Sequence, residues 1–374
     1  MEKDENRRLP NEGRQIGIDL AKCFAIIFMV IIHCLMEFEA DSSATAYQIF
    51  DITCGSILAA PVFMTAMGVG LAYSKKSDPK KIIFRGLHLL FLNYFINLLM
   101  CIPNYIIAGV ENNYELLFST VFYKNLGGDI LAFAGLTLIL FGLLKLTKIK
   151  DYYILLIGII LSLVATFIPI FVTNNIILEN FTGLFFLSKC NTESSVAFPL
   201  ISWFICPAFG YWYGNLLKKS TNPNYFHLIF GIIGTVIAVV GFILCYVYKF
   251  GFAGNYSEDL FYGMKIFDSA LCISAAVGFF GLCHFISKLF NEKLVKGVST
   301  MSNALNLIYI IHWILIAYIT TPTIHYGVIY PVYSILLIAV GIIITATTLG
   351  ILLKGYIKKK TLENPGTLWR IINA

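Results

Sequence analysis

Long unbroken apolar runs, separated by short segments alternately rich and poor in lysine and arginine, leave this chain one class of fold. A helix in a soluble core rarely needs more than about a dozen consecutive apolar residues, whereas the hydrocarbon of a bilayer needs roughly twenty. Runs of the second kind lie near Ile16 to Met36, Gly55 to Tyr73, Ile82 to Ile107, Asp129 to Leu146 and Tyr152 to Val172. They continue near Phe198 to Leu217, Phe226 to Tyr248, Ile266 to Leu289, Ala304 to Ile319 and Tyr330 to Leu353. With 13% charged residues and a mean hydropathy of +0.79, the 374 residues have too little polar surface to coat a soluble globule. The expected fold is an all-α, polytopic integral membrane bundle of about ten transmembrane helices.

The basic residues orient it. Clusters at Lys3 to Arg14, Lys75 to Arg85, Lys145 to Lys150, Lys218 and Lys219, Lys288 to Lys296, and Lys354 to Arg370 fall in alternate connections. On that count 22 of the 27 Lys and Arg residues lie on one side, against four on the other, with Lys22 inside the first span. Both termini are therefore expected in the cytoplasm. The division is a cytoplasmic segment over 1–14, a membrane domain over 15–355 and a cytoplasmic tail over 356–374. The first span follows a charge-rich start, holds ionisable groups and has no small-residue cleavage site, so it reads as a retained helix.

The net charge of +6 is this same bias and calls for no nucleic acid. No Gly-rich phosphate loop, HExxH or paired CxxC occurs, no metal is expected, and the nine cysteines are scattered mostly inside spans. No internal repeat suggests a transporter of inverted halves.

An ionisable side chain within a span is costly and is by default functional. The first span, GIDLAKCFAIIFMVIIHCLMEFE, holds Asp19, Lys22 and His33, with Glu37 at its outer end. Eleven residues make close to three turns, so Lys22 and His33 share one face, roughly 16 Å apart along the axis. Glu37 follows His33 at i+4, where a carboxylate fixes the imidazole tautomer and favours its protonated form, as a general base needs. The pair is either that base and its orienting group or two interfacial residues that satisfy each other. Arg85 opens the third span, where a guanidinium suits phosphate or snorkels to the interface. Asp129 and Asp268 begin later spans, as caps or as groups near the His33 level. Trp203 is a sugar platform or part of an interfacial belt. His312, with Asn306 and Tyr309 on adjacent turns, is helix glue or channel lining.

Lys22, ten residues and then His33, with Asp19 three before Lys22, resembles the first helix of the acyltransferase-3 superfamily, with Lys where Arg is more frequent. Glu37 four residues after the His is similar to the bacterial heparan-alpha-glucosaminide N-acetyltransferase-like branch, which is expected to carry Asp there. The segments APVFMTAMGVGLA, GGDILAFAGLTLIL, FPLISWFICPAFGYWYG and SNALNLIYIIHWIL resemble further stretches of the superfamily in the right order, across most of the chain. Arg85 followed by His88 departs from the Arg-x-x-Arg pair of the third helix.

The resemblance implies transfer of an acyl group, most simply acetyl, from cytoplasmic acyl-CoA to an extracytoplasmic saccharide hydroxyl or amine, in a bacterial cytoplasmic membrane. His33, Glu37 and Asp129 are the expected catalytic residues, with His33 as base or transient acyl carrier. Lys22, Arg85 and His88 are expected to bind the acyl-CoA donor. Partners are membrane lipids and a glycan acceptor, and a homodimer is compatible with this. The alternative is a transporter or flippase for a lipid-linked glycan or small solute, with charges spread along a path rather than beside one external site.

Overall fold

The computed structural model describes residues 9–40, 45–74, 78–190, 196–255 and 257–363. Lys3, Arg7, Arg8, Lys75, Lys76 and Arg370 of the basic clusters lie outside the described residues, as do 1–8 of the expected N-terminal segment and 364–374 of the tail. The helices that carry the fold are α1 (Ile16–Glu37), α2 (Thr53–Tyr73), α3 (Pro79–Glu111), α4 (Ile130–Leu146), α5 (Asp151–Phe167), α6 (Ile205–Lys219), α7 (Pro223–Tyr248), α8 (Ile266–Ser287), α9 (Glu292–His325) and α10 (Val332–Glu363).

Among the described residues seven of these are long and apolar enough to cross a membrane, namely α1, α2, α3, α7, α8, α9 and α10. The apolar helices α4 and α5 have 17 residues each and α6 has 15. At about 1.5 Å per residue these reach roughly 22–26 Å, short of a ~30 Å hydrocarbon core. The expected count of ten is thus not met by length.

Prolines set several boundaries that hydropathy alone runs through. α3 bends at Cys101, two residues before Pro103. The fifth span stops at Phe167, because Ile168 precedes Pro169 and is held in extended backbone. Residues beyond it form β1 (Phe171–Thr173), which pairs in parallel with β2 (Ser188–Cys190), a small departure from an all-helical chain. The sixth span divides into a turn at Leu200–Trp203 and α6, whose third residue is Pro207. α9 starts twelve residues before the expected Ala304, where Asn291 caps it by accepting from the Leu294 N–H at 3.0 Å.

Small residues let the helices meet backbone to backbone, as membrane interfaces require. A Cβ on Gly86 of α3 would lie 2.6 Å from the Gly135 carbonyl of α4, and one on Gly135 would lie 2.8 Å from the Gly86 carbonyl. Gly210 of α6 sits on α2, where a Cβ would be 1.9 Å from the Thr65 carbonyl. Gly231 of α7 faces Gly281 of α8 in the same way. The most apolar stretch of α1 is 67% buried, against 28% for α7 and α10, so α1 is central and the other two present their faces to lipid. It packs on α2, α8, α9 and α10. One core cluster takes in Ile18 to Met29 of its N-terminal part, and a second, with Val30, Leu35, Ile316 and Ile335, surrounds its C-terminal part.

Candidate active site

The C-terminal half of α1 brings His33 against α9. His33 Nδ1 lies 3.1 Å from His312 Nε2, and the His33 ring stacks on Trp313 with centroids 4.2 Å apart. His312 and Trp313 are adjacent on α9, and Tyr309 is one turn before them. The Trp313 indole N–H donates to the Tyr309 hydroxyl at 2.9 Å, and that hydroxyl donates to the Asp129 carboxylate. Asp129 occupies the N-cap position of α4, yet its side chain makes no capping bond. Its carboxylate serves α9 instead, and its own N–H donates to Asn93 Oδ1 of α3 at 3.4 Å. Tyr309 and His312 are 3% and 0% exposed, so this polar chain is sealed on the α9 side.

On the other side His33 and Asp129 line a cavity of about 970 Å³. Its wall also carries Asn93, Asn97 and Asn104 of α3, with Tyr262 and Trp313, and Glu37, Glu39 and His325. Asn97 Nδ2 donates to the Gly127 carbonyl at 2.7 Å, which fixes the loop before Asp129. Lys189 of β2 and Asp259 form an ion pair of 2.6 Å in the same wall. Amides, carboxylates and flat rings in one concavity suit a polyhydroxylated ligand, with hydrogen bonds at its edge and aromatic contact on its faces. A smaller recess of about 40 Å³, lined by Met29, Ile32, Ala59 and Ala60 and by the polar Asp51 and Ser56, also takes in His33 and Asp129.

Of the expected catalytic set, His33, Glu37 and Asp129 therefore share one cavity. The ring nitrogen contact of His33 is made with His312, across 279 residues of sequence, while Glu37 sits exposed at the cavity wall. Local helical spacing pointed to Glu37, and the tertiary fold adds His312 as a contact of the His33 ring.

Among the described residues no hydrogen bond or ion pair joins Lys22, Arg85 and His88 to one another. At the opposite end of α1, Asp19 accepts from Arg14 Nε at 2.5 Å and from Ser302 Oγ of α9 at 2.6 Å, with Lys22 Nζ at 3.6 Å. Lys22 is thus tied into a bridge between α1 and α9. Arg85 and His88 lie half-buried on α3, and neither makes a hydrogen bond or ion pair among the described residues. A guanidinium inside an apolar helix face with no protein acceptor is free for an anionic ligand.

Two further candidates resolve as structure. Trp203 is 0% exposed, donates its indole N–H to the Tyr262 carbonyl at 2.8 Å and packs edge-on against Phe198 and Phe261, so it is neither a sugar platform nor part of an interfacial belt. Asp268 is 2% exposed and accepts the Phe252 N–H at 3.2 Å, closing the turn at Gly251, and it is not on the cavity wall. Asn93, Asn97 and Trp313 join the site without having been among the expected residues. The two amides stand at i and i+4 inside an apolar span, which is the signal that marks them. Among the described residues no three His, Cys, Asp or Glu side chains converge to hold a metal ion.

Comparison with known protein families matches residues 15–353 to a model described as an acyltransferase domain, of the third acyltransferase type. No curated protein and no solved structure matches the chain.

Proposed function

Since a match over 15–353 makes this chain a member of the acyltransferase-3 family, a multi-pass membrane acyltransferase, we propose that it carries an acetyl group from cytoplasmic acetyl-CoA to an extracytoplasmic saccharide. The observation that carries the proposal is His33 on the wall of a roughly 970 Å³ cavity, at the end of α1 away from Arg14, Asp19 and Lys22. In this reading, which the positive-inside bias supports, the cavity opens to the extracytoplasmic side, the Arg85 region lies at the cytoplasmic face and both termini are inside. The cavity has the volume and the mixed amide and aromatic lining that a short glycan needs.

His33 acts as general base. Its imidazole takes the proton of the acceptor hydroxyl or amine as that atom bonds to the thioester carbon. When the carbon–sulfur bond breaks, the proton passes to the departing thiolate, so the products are the acetylated acceptor and free CoA thiol. Asp129 holds Tyr309 and, through it, the Trp313 ring on which His33 stacks. Arg85 and His88 bind the donor's phosphates. Glu37 at the outer wall contacts the acceptor. Kinship with the heparan-alpha-glucosaminide N-acetyltransferase-like branch rests on Glu37 and on the ordered segments quoted above.

The test is acetyl transfer from labelled acetyl-CoA to a glycan pool in membranes, with expression matched between variants. His33→Ala should remain folded and bind acetyl-CoA while turnover falls by about 10²- to 10⁴-fold. Near wild-type transfer by this variant would remove His33 from the mechanism and bring back the transporter.

A further inference from the structure

His33 and His312 place two imidazole nitrogens 3.1 Å apart, and only one of those nitrogens can hold the shared hydrogen. Two arrangements follow. Either His33 Nδ1–H donates and its Nε2 is a bare lone pair, or His312 Nε2–H donates and neutral His33 carries its hydrogen on Nε2. The first tautomer is a base and the second is not.

The surroundings of His312 choose between them. Its remaining nitrogen, Nδ1, is buried with no hydrogen-bond partner among the described residues, and a side chain on a helix leans back over the preceding turn, here that of Ile308 and Tyr309, where backbone carbonyls are the nearest polar groups. Carbonyl oxygens attract an N–H and repel a lone pair, so the hydrogen of neutral His312 sits on Nδ1. Its Nε2 is then an acceptor, and His33 Nδ1 must donate to it. The Trp313 ring against His33 holds the imidazole plane in that register, 28° from parallel. His33 Nε2 is the nitrogen left for the cavity.

On the premise that His33 is the base, we infer that His312 is its positioning residue: by accepting from His33 Nδ1–H it fixes the tautomer whose free Nε2 takes the acceptor's proton. A carboxylate fills this role in many hydrolytic triads. A neutral imidazole can do so here because an uncompensated carboxylate at a site 0% exposed, deep between helices, would be costly to bury. When His33 is protonated, Nδ1–H continues to donate to His312 while Nε2–H holds the proton destined for the thiolate, so no second proton has to move.

The experiment compares His312→Phe, which keeps a flat ring and removes the acceptor, with His312→Gln, which supplies a carbonyl oxygen in its place. Steady-state acetyl transfer is measured for both beside His33→Ala, with folding checked by thermal unfolding in detergent. His312→Phe should lower kcat about 10²-fold with the KM for acetyl-CoA and acceptor changed less than about twofold, and His312→Gln should recover at least a tenfold part of that loss. Nitrogen-15 spectra of histidine-labelled protein should show neutral His33 protonated at Nδ1, and this preference should be lost in His312→Phe. These spectra decide the matter if a variant folds poorly, since the wild type alone reports the tautomer. Wild-type kcat in His312→Phe, no recovery in a folded His312→Gln, or a His33 protonated at Nε2 would overturn the inference. Full activity in His33→Ala would instead remove the premise.

Discussion

Arg85→Ala separates ligand binding from stability more cleanly than any other substitution on α3. In the folded chain Arg85 is half-buried and has no hydrogen-bond or ion-pair partner among the described residues, so its removal leaves no carboxylate or carbonyl behind without a donor. Loss of a partly desolvated, unpaired charge is neutral or stabilising. The thermal midpoint in detergent should therefore stay constant or rise. A guanidinium that meets a phosphate makes charge-assisted bonds worth about 1.5–3 kcal/mol, and their loss weakens acetyl-CoA binding roughly 10- to 150-fold. Arg85→Lys retains the charge and loses the two-pronged geometry, so it should recover only part of that affinity. The exposed Lys81, one turn earlier, contributes a screened surface charge, and Lys81→Ala should cost less than about 1 kcal/mol. Binding of labelled acetyl-CoA to purified protein in nanodiscs gives the affinities, and unfolding of the same samples gives the stabilities. Unchanged affinity in Arg85→Ala would refute the phosphate role, and a fall in stability would refute the account of Arg85 as unpaired.

Three other outcomes follow from the packing. Tyr309→Phe removes the donor to Asp129 and the acceptor of the Trp313 indole together, so it should cost about 1–3 kcal/mol in thermal unfolding and also lower turnover, because the ring beneath His33 loses its tether. Gly210→Ala would place a Cβ 1.9 Å from the Thr65 carbonyl and should abolish correctly folded protein, as seen by size-exclusion of a fluorescent fusion, whereas Gly109→Ala, with nothing within 4 Å, should leave the profile unchanged. Cysteines introduced at the exposed Glu39 and Lys148 should react with a membrane-impermeant reagent from opposite sides, and labelling from one side would overturn the orientation.

The spans were legible because a bilayer leaves only one secondary structure for a long apolar run. Their ends were less so. A hydropathy average passes smoothly through Pro103, Pro169 and Pro207, although each removes a backbone donor and so bends or ends a helix. The first three turns of α9 mix charged residues with Leu294, Val295, Val298 and Met301 and so average to little hydropathy, yet Asn291 caps them as helix. His33 stood out in the sequence as an ionisable group inside a span. Its partner did not, because spacing along one helix ranks neighbours at i+4 and is silent about a residue 279 positions away. The chain from Asp129 through Tyr309 to Trp313 was hidden for the same reason, and Asp129 looked like a helix cap because it does stand at one.

Pairing, rather than residue type, sorts the inner charges. The family resemblance grouped Lys22 with Arg85 and His88 as expected donor-binding residues. In the fold Lys22 is held near Asp19, which also binds Arg14 and Ser302, so this ammonium helps to close α1 against α9. A cation already neutralised gains less from a phosphate than one without a partner, because it must first give up an ion pair. The same accounting leaves Arg85 and His88 as the groups on α3 with donor capacity to spare. The first helix thus meets α9 at two heights, at its inner turn through Asp19 and Ser302 and at its outer turn through His33 and His312, so that packing between these two helices sets the position of the His33 ring.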